Sequence, residues 1–333
     1  MNKIFKVIWS KSKQCYIVVS EIAKNKTGKK KIVVASILAA LAMAGSMQNV
    51  EATIPEGAAT GTATFAIGPQ SDANGAFGFA IGNNAKFNSG TLGFAIGVNS
   101  EATSNQSIAI GYLSKAAGRN IGGGGDPALA VGAGAKATAG GATAIGMVAN
   151  ASNTFATAIG KSAAASGDSS IAIGQNTKAT QEKAIAIGDA SQATNIGATA
   201  LGRSSEATGS SATALGSLAS ATGTTATAVG MQASASGSES LAIGNTASAT
   251  SGRALAVGTN AKATGASSVA VGSGAGGSGP RGFASSINSS GSVVNTNKTI
   301  NYATIAEGDN AVALGYYANA KNSGVAVGQN ALA

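Results

Sequence analysis

The residues that could do chemistry are few, and they are poorly placed for it. The 333-residue chain has no histidine and a single cysteine, Cys15. Beyond Cys15 the usual imidazole base, zinc ligand and thiol nucleophile are therefore missing. Carboxylates stand singly, at Asp168, Glu182, Asp189, Glu206 and Glu239. Glu182 and Asp189 could meet across adjacent repeats, but solvated surface charge accounts for all of them. Asp126, Glu307 and Asp309 sit beside glycines, where weak calcium binding is the metal chemistry to test. Gly122–Gly125 lacks the following Lys-Ser/Thr and the helix that a phosphate loop needs. No catalytic, cofactor-binding or metal-binding residue is assigned, and no enzyme is expected.

One array of side chains is regular enough to matter. Thr138, Thr180, Thr194, Thr208, Thr222, Thr250 and Thr264 each stand six places after a glycine, with Ser152, Ser166 and Ser236 in the gaps. Such hydroxyls solvate corners, or form a polar ladder on which an extended ligand could lie. Ice binding would need a second threonine column, and that one is broken by Ile171, Ile185 and Leu241.

The threonines belong to a 14-residue period. Glycines at 132, 146, 160, 174, 188, 202, 216, 230, 244, 258 and 272 mark eleven copies. Looser copies end at Gly68, Gly82, Gly97, Gly111, Gly315 and Gly328. The residue before each regular glycine is aliphatic: Val131, Ile145, Ile159, Ile173, Ile187, Leu201, Leu215, Val229, Ile243, Val257 and Val271. The one before that is always alanine, as in Ala144, Ala158, Ala172 and Ala186. Three such residues make a short strand whose neighbours point to opposite faces. A second alternation follows each glycine, as in Ala261-Lys262-Ala263. Two or more glycines per repeat, at roughly 1 kcal/mol each, oppose a helix. The fold class is therefore all-β, a solenoid of stacked 14-residue coils. The aliphatic and alanine columns are its expected core. One fills the roll; the other leaves an apolar stripe that implies self-association. Which does which is left open by the sequence.

Charge divides unevenly. Residues 1–31 carry nine lysines against Glu21, whereas residues 32–333 carry thirteen basic against twelve acidic residues. The repeats thus have no basic field, and nucleic acid is excluded as a partner. Lys29–Lys31, the apolar stretch Ile32–Ala44 and small residues after it make a secretory signal, with cleavage expected after Ala52. The expected organisation is a signal over 1–52, with an extension at about 1–27 and a basic and apolar core at 28–44. Degenerate repeats follow over 53–119, an insertion over 120–127, regular repeats over 128–272, an insertion over 273–310, and further, truncated repeats over 311–333. Insertions in solenoids are expected as loops on one face. Phe77 and Phe79 alternate like core residues, so the aromatic cluster Phe77, Phe79, Phe87 and Phe94 is expected to thicken or cap the roll.

MNKIFKVIWSKSKQCYIVVSEIAK at the start resembles the extended signal peptide region of large autotransported proteins of Gram-negative bacteria. SSIAIGQNTKATQEKAIAIGDASQAT (169–194) and ESLAIGNTASATSGRALAVGTNAKATG (239–265) resemble the head repeats of trimeric autotransporter adhesins, the YadA-like family. The resemblance implies a homotrimer of left-handed parallel β-rolls. It also implies a non-enzymatic cell-surface adhesin head, attaching to collagen, fibronectin, laminin, host-cell receptors or other bacteria. The alternative is a structural spacer or self-associating fibre that promotes aggregation and biofilm. The family's coiled-coil stalk and outer-membrane barrel have no counterpart among these residues. A surface location at the outer membrane is therefore expected with an anchor, and a secreted protein without one.

Overall fold

The computed structural model describes residues 5–10, 15–20, 58–60, 64–88, 90–118, 127–273, 284–287, 293–296 and 303–333. The chain divides into two units, Met1–Thr53 and Ile54–Ala333. In the first, Phe5–Ser10 pairs antiparallel with Cys15–Ser20, setting Trp9 opposite Tyr16. The signal core at 28–44 and the expected cleavage after Ala52 lie outside the described residues.

The second unit is a parallel β-solenoid. Each coil contributes a three-residue strand, a turn, a two-residue strand and a second turn, as in Ile171–Ile173 and Lys178–Ala179. Long strands stack in strict register from Phe65–Ile67 to Val325–Val327, alanine on alanine. Short strands form a second parallel sheet, with Ala165, Ala179 and Ala193 in line. At about 4.8 Å per coil, the seventeen described long strands extend roughly 80 Å.

Local chemistry fixes both turns. The first runs from the coil glycine to the residue three places on, closed by Ser191 N donating to Gly188 O at 3.3 Å. The second is closed in the same way, by Ala184 N donating to Gln181 O at 3.1 Å. In each, the third residue has positive φ, as at Asn176 (55°) and Lys183 (56°), the geometry of type II turns. Buried hydroxyls reinforce them: Ser191 Oγ donates to Gly188 O at 3.1 Å, and Ser170 Oγ to Gly167 O at 2.7 Å. The coil glycine itself has a separate reason. Gly174 has φ +130°, and an added Cβ would lie 2.6 Å from the carbonyl oxygen of Gly188 in the next coil.

The interior is made of small side chains. Ala172, Thr177, Ala179 and Ala184 line one coil and are fully buried, and equivalent alanines or serines repeat along the roll. Phe87 is the large exception, fully buried where other coils have alanine. Its ring occupies space that side chains at Gly75, Gly78 and Gly93 would otherwise fill. Phe77 and Phe79, by contrast, are 51% and 36% exposed. The expected core placement of these two is corrected: Phe79 starts a long strand, whose first residue points outward, and Phe77 is the positive-φ residue of a turn.

Insertions leave the ladder intact. Ile108–Ile110 pairs directly with Leu129–Val131, and Val269–Val271 with Val312–Leu314. The first insertion departs from a second turn, after Lys115–Ala116. The other follows Gly272, at a first turn, and the short-strand sheet is rejoined at Ile305–Ala306, which pairs with Lys262–Ala263. The two insertions thus leave the ladder at different turns of the coil, and the faces on which their loops lie fall outside the described residues. Within the second insertion, Ala284–Ile287 and Val293–Thr296 form an antiparallel pair.

Candidate functional site

Three surfaces follow from the coil. In each long strand the middle alanine points inward, so the first and third residues share the outer face. Ala144, Ala158, Ala172 and Ala186 are fully buried. The third-position residues Val131, Ile145, Ile159, Ile173, Ile187, Val229, Val257 and Val271 remain partly exposed in the single chain. Leu201, Leu215 and Ile243 reach 41%, 41% and 37% exposure. The first-position column beside them runs Phe65, Phe79, Phe94, Ile108, Leu129, then Thr143 and Thr157, Ile171 and Ile185, Thr199, Thr213 and Thr227, and Leu241, Leu255 and Val269. Its aromatic end is a ladder: Phe65 and Phe79 centroids are 6.1 Å apart, and Phe79 and Phe94 stack at 5.0 Å with planes 3° apart. The result is a largely apolar stripe along one face, aliphatic throughout in its third-position column and broken by threonines in the column beside it.

The threonine column lies elsewhere, just past the short strands. Thr138, Thr180, Thr194 and Thr208 are half-buried, whereas Thr222, Thr250 and Thr264 are exposed. Part of the hydroxyl row is used internally. Thr180 Oγ1 donates to Thr194 O at 3.3 Å, Thr264 Oγ1 to Ala306 O at 3.4 Å, and Ser166 Oγ to Thr180 O at 3.5 Å. These long contacts link neighbouring coils.

Charged groups pair locally. Lys115 Nζ meets Glu101 Oε2 at 2.9 Å across adjacent coils, and Lys183 Nζ meets Glu182 Oε1 at 2.8 Å. The hydrogen bond and charge of Lys183 hold the Glu182 carboxyl below its ordinary range, and Glu182 raises the Lys183 ammonium. Asp189, in a first turn, is not brought to Glu182, which stands in a second turn. Glu307 pairs with Lys321 at 3.5 Å, and Asp309 Oδ1 accepts from Ala266 N at 2.9 Å. Among the described residues no group of three or more histidine, cysteine or carboxylate residues could hold a metal. Asp126 and Gly122–Gly125 lie outside them.

One surface was not singled out from sequence. Val98, Tyr112, Leu113, Met147 and Val148 are exposed where first turns follow Gly97, Gly111 and Gly146. Large apolar side chains one or two places after the coil glycine are the signal that marks them. Near the other end Tyr316 Oη donates to Tyr317 Oη at 3.0 Å, which raises the Tyr316 pKa.

Among the described residues, this geometry offers long, repetitive faces. Comparison with known families agrees. Residues 1–48 match the Extended Signal Peptide of Type V secretion system. The YadA head domain repeat matches 59–85, 89–114 and 124–149, an overlapping series within 151–275, and 302–318. No curated protein matches the chain. With the head-repeat match spanning more than half of its residues, the chain belongs to the YadA head-repeat family, behind a type V extended signal peptide.

Proposed function

We propose that this chain is the exported head of a homotrimeric, non-enzymatic surface adhesin, built as a left-handed β-roll. The outward stripe of first- and third-position residues is the observation that carries the assembly. It is too long and too apolar to stay wet on a monomer, and three-fold closure covers it on every chain. In this reading Val131, Ile145, Ile173 and their column face the partner chains, while the alanines fill each roll. The polar face bearing Thr138, Thr180, Thr194, Thr208, Thr222, Thr250 and Thr264 is left outside for ligand. Weak contacts repeated along the roll, on three chains and many fibres, sum to firm attachment. Collagen, fibronectin, laminin or a host-cell receptor are the ligand classes that follow from the family. Its place is the outer surface of a Gram-negative cell, held there by an outer-membrane anchor.

Analytical ultracentrifugation of the exported portion, followed by solid-phase binding to those matrix proteins, tests both halves. A trimer that binds one of them supports the reading, whereas a monomer refutes the assembly. A trimer that clumps with itself and binds no matrix protein favours the second reading, a self-associating fibre. The exposed Val98, Tyr112, Leu113, Met147 and Val148 would suit such homotypic contact.

A further inference from the structure

Stacked identical coils have a register problem. Two rods of the same 4.8 Å pitch can slide by one coil and keep almost every aliphatic contact. The third-position column cannot prevent this, since it is aliphatic at every regular coil. The first-position column can. It shares the outer face but changes character in blocks of unequal length: an aromatic ladder, Ile108 and Leu129, two threonines, two isoleucines, three threonines, then Leu241, Leu255 and Val269. We propose that this column is a register code for association with further copies of this chain, matching every threonine to threonine and every ring to ring only at zero offset.

The inference rests on the trimeric reading and adds what selects its alignment. A second copy is the occupant because only a surface of the same pitch meets the stripe over its whole length, and only the same block order meets it in kind. At zero offset each threonine faces threonine, so its hydroxyl has a partner when water leaves. A one-coil slip sets Thr157 against Ile171, Ile185 against Thr199 and Thr227 against Leu241. It also pulls Phe94 out of its aromatic match and onto Ile108. Because the blocks differ in length, slips of up to four coils always leave at least one threonine against an aliphatic residue.

Cysteine cross-linking reads the register directly, because Cys15 is the only native cysteine. In a full chain carrying Cys15→Ser, single substitutions Leu201→Cys and Val229→Cys are refolded separately and as a mixture. Like residues should form disulfides between chains. Leu201→Cys and Val229→Cys lie two coils apart, about 9.6 Å along the axis, beyond the roughly 7 Å limit for bridging, unless chains slip. The mixed disulfide should be at least about tenfold rarer than the like pairs. Flattening the code, with the five threonines of the column changed to valine and the three phenylalanines to isoleucine, should make the two comparable. A flattened chain that still trimerises with the parent's selectivity overturns the proposal. A second pair of substitutions, Thr157→Ile with Ile185→Thr, keeps composition and should make chains cross-link with themselves in preference to the parent. Indifferent mixing there also overturns it. A parent chain that sediments as a monomer refutes the trimeric reading instead, and this one with it.

Discussion

Replacing Gly174 by alanine tests the structural reasoning at its narrowest point. Gly174 has φ +130°, a region that side chains rarely adopt, at a cost of about 1–3 kcal/mol. The new Cβ would also meet the Gly188 carbonyl oxygen at 2.6 Å and its carbon at 2.8 Å. That carbonyl cannot retreat freely, because the Gly188 amide beside it donates to Ile173 O at 2.8 Å. Overpacking of this kind adds about 1–3 kcal/mol, so the total is roughly 2–6 kcal/mol in one coil. Gly134→Ala is the control. Its φ is +67°, and its nearest contact for a new Cβ is 3.7 Å away. Ala190 already occupies the equivalent turn position with φ 55°. The left-handed penalty of about 1–2 kcal/mol is partly offset by the stiffer unfolded chain, about 0.4–1 kcal/mol. Solenoids open locally rather than as one unit, so hydrogen exchange resolved by coil is the right assay. Gly174→Ala should speed exchange in the coils around residues 160–190, and Gly134→Ala should speed its own far less. Equal effects would refute the claim that close coil-to-coil approach, rather than turn conformation alone, demands glycine.

Other expectations follow from the same geometry. Ile173→Asp should cost roughly 3–5 kcal/mol per copy if partner chains cover its column, and Lys178→Ala almost nothing; equal melting and equal sedimentation of the two variants would remove the buried stripe. Phe87→Ala should cost about 3–5 kcal/mol by opening a cavity, and Gly78→Ala should clash with the Phe87 ring. Combined, they restore the alanine interior of other coils, so the double variant should be more stable than the sum predicts in a thermal-melt cycle. Stability should change little between about pH 5 and 9, because no histidine titrates there. The Glu182 contribution, present at neutral pH, is lost as acid brings the pH through its lowered pKa, and that of Lys183 as base brings it through its raised one. A melting transition that shifts steeply near neutrality would contradict this.

The architecture was legible because its signal is repetition. A glycine every 14 residues, with an aliphatic and an alanine before it, specifies strand and corner without reference to the rest of the chain. Orientation was not. Strict alternation gives two faces and says nothing about which is inside. That is decided by two tight turns seven residues apart, which leave room only for methyl and hydroxyl groups between the sheets. Phe87 fits because glycine stands at 75, 78 and 93; the signal was a pair of changes in different columns rather than one conspicuous residue. The positive-φ turn positions were hidden as well. Asn176, Lys183, Ala190, Leu218 and Phe155 all adopt that geometry, so residue type does not mark them. The candidate ligand face was legible as a column of threonines, but not the internal hydrogen bonds that half of its logic serves.

The long insertion tests how far the turns are independent of the ladder. Between Gly272 and Thr304 stand 31 residues where a regular coil has two, yet Val269 still pairs with Val312 and Lys262 with Ile305. Loop-closure entropy explains the tolerance, since it grows only with the logarithm of length. Going from two residues to 31 costs about 2 kcal/mol. Replacing residues 273–303 by Gln-Asn, the pair that fills this turn at Gln175-Asn176, should therefore leave the coil register unchanged and raise local stability by up to that amount. Hydrogen exchange across Val312–Leu314 measures it. Faster exchange after the deletion would mean that the insertion braces the roll. Unchanged or slower exchange, accompanied by loss of matrix binding, would mean that the chain carries its ligand specificity where its ladder is indifferent to length.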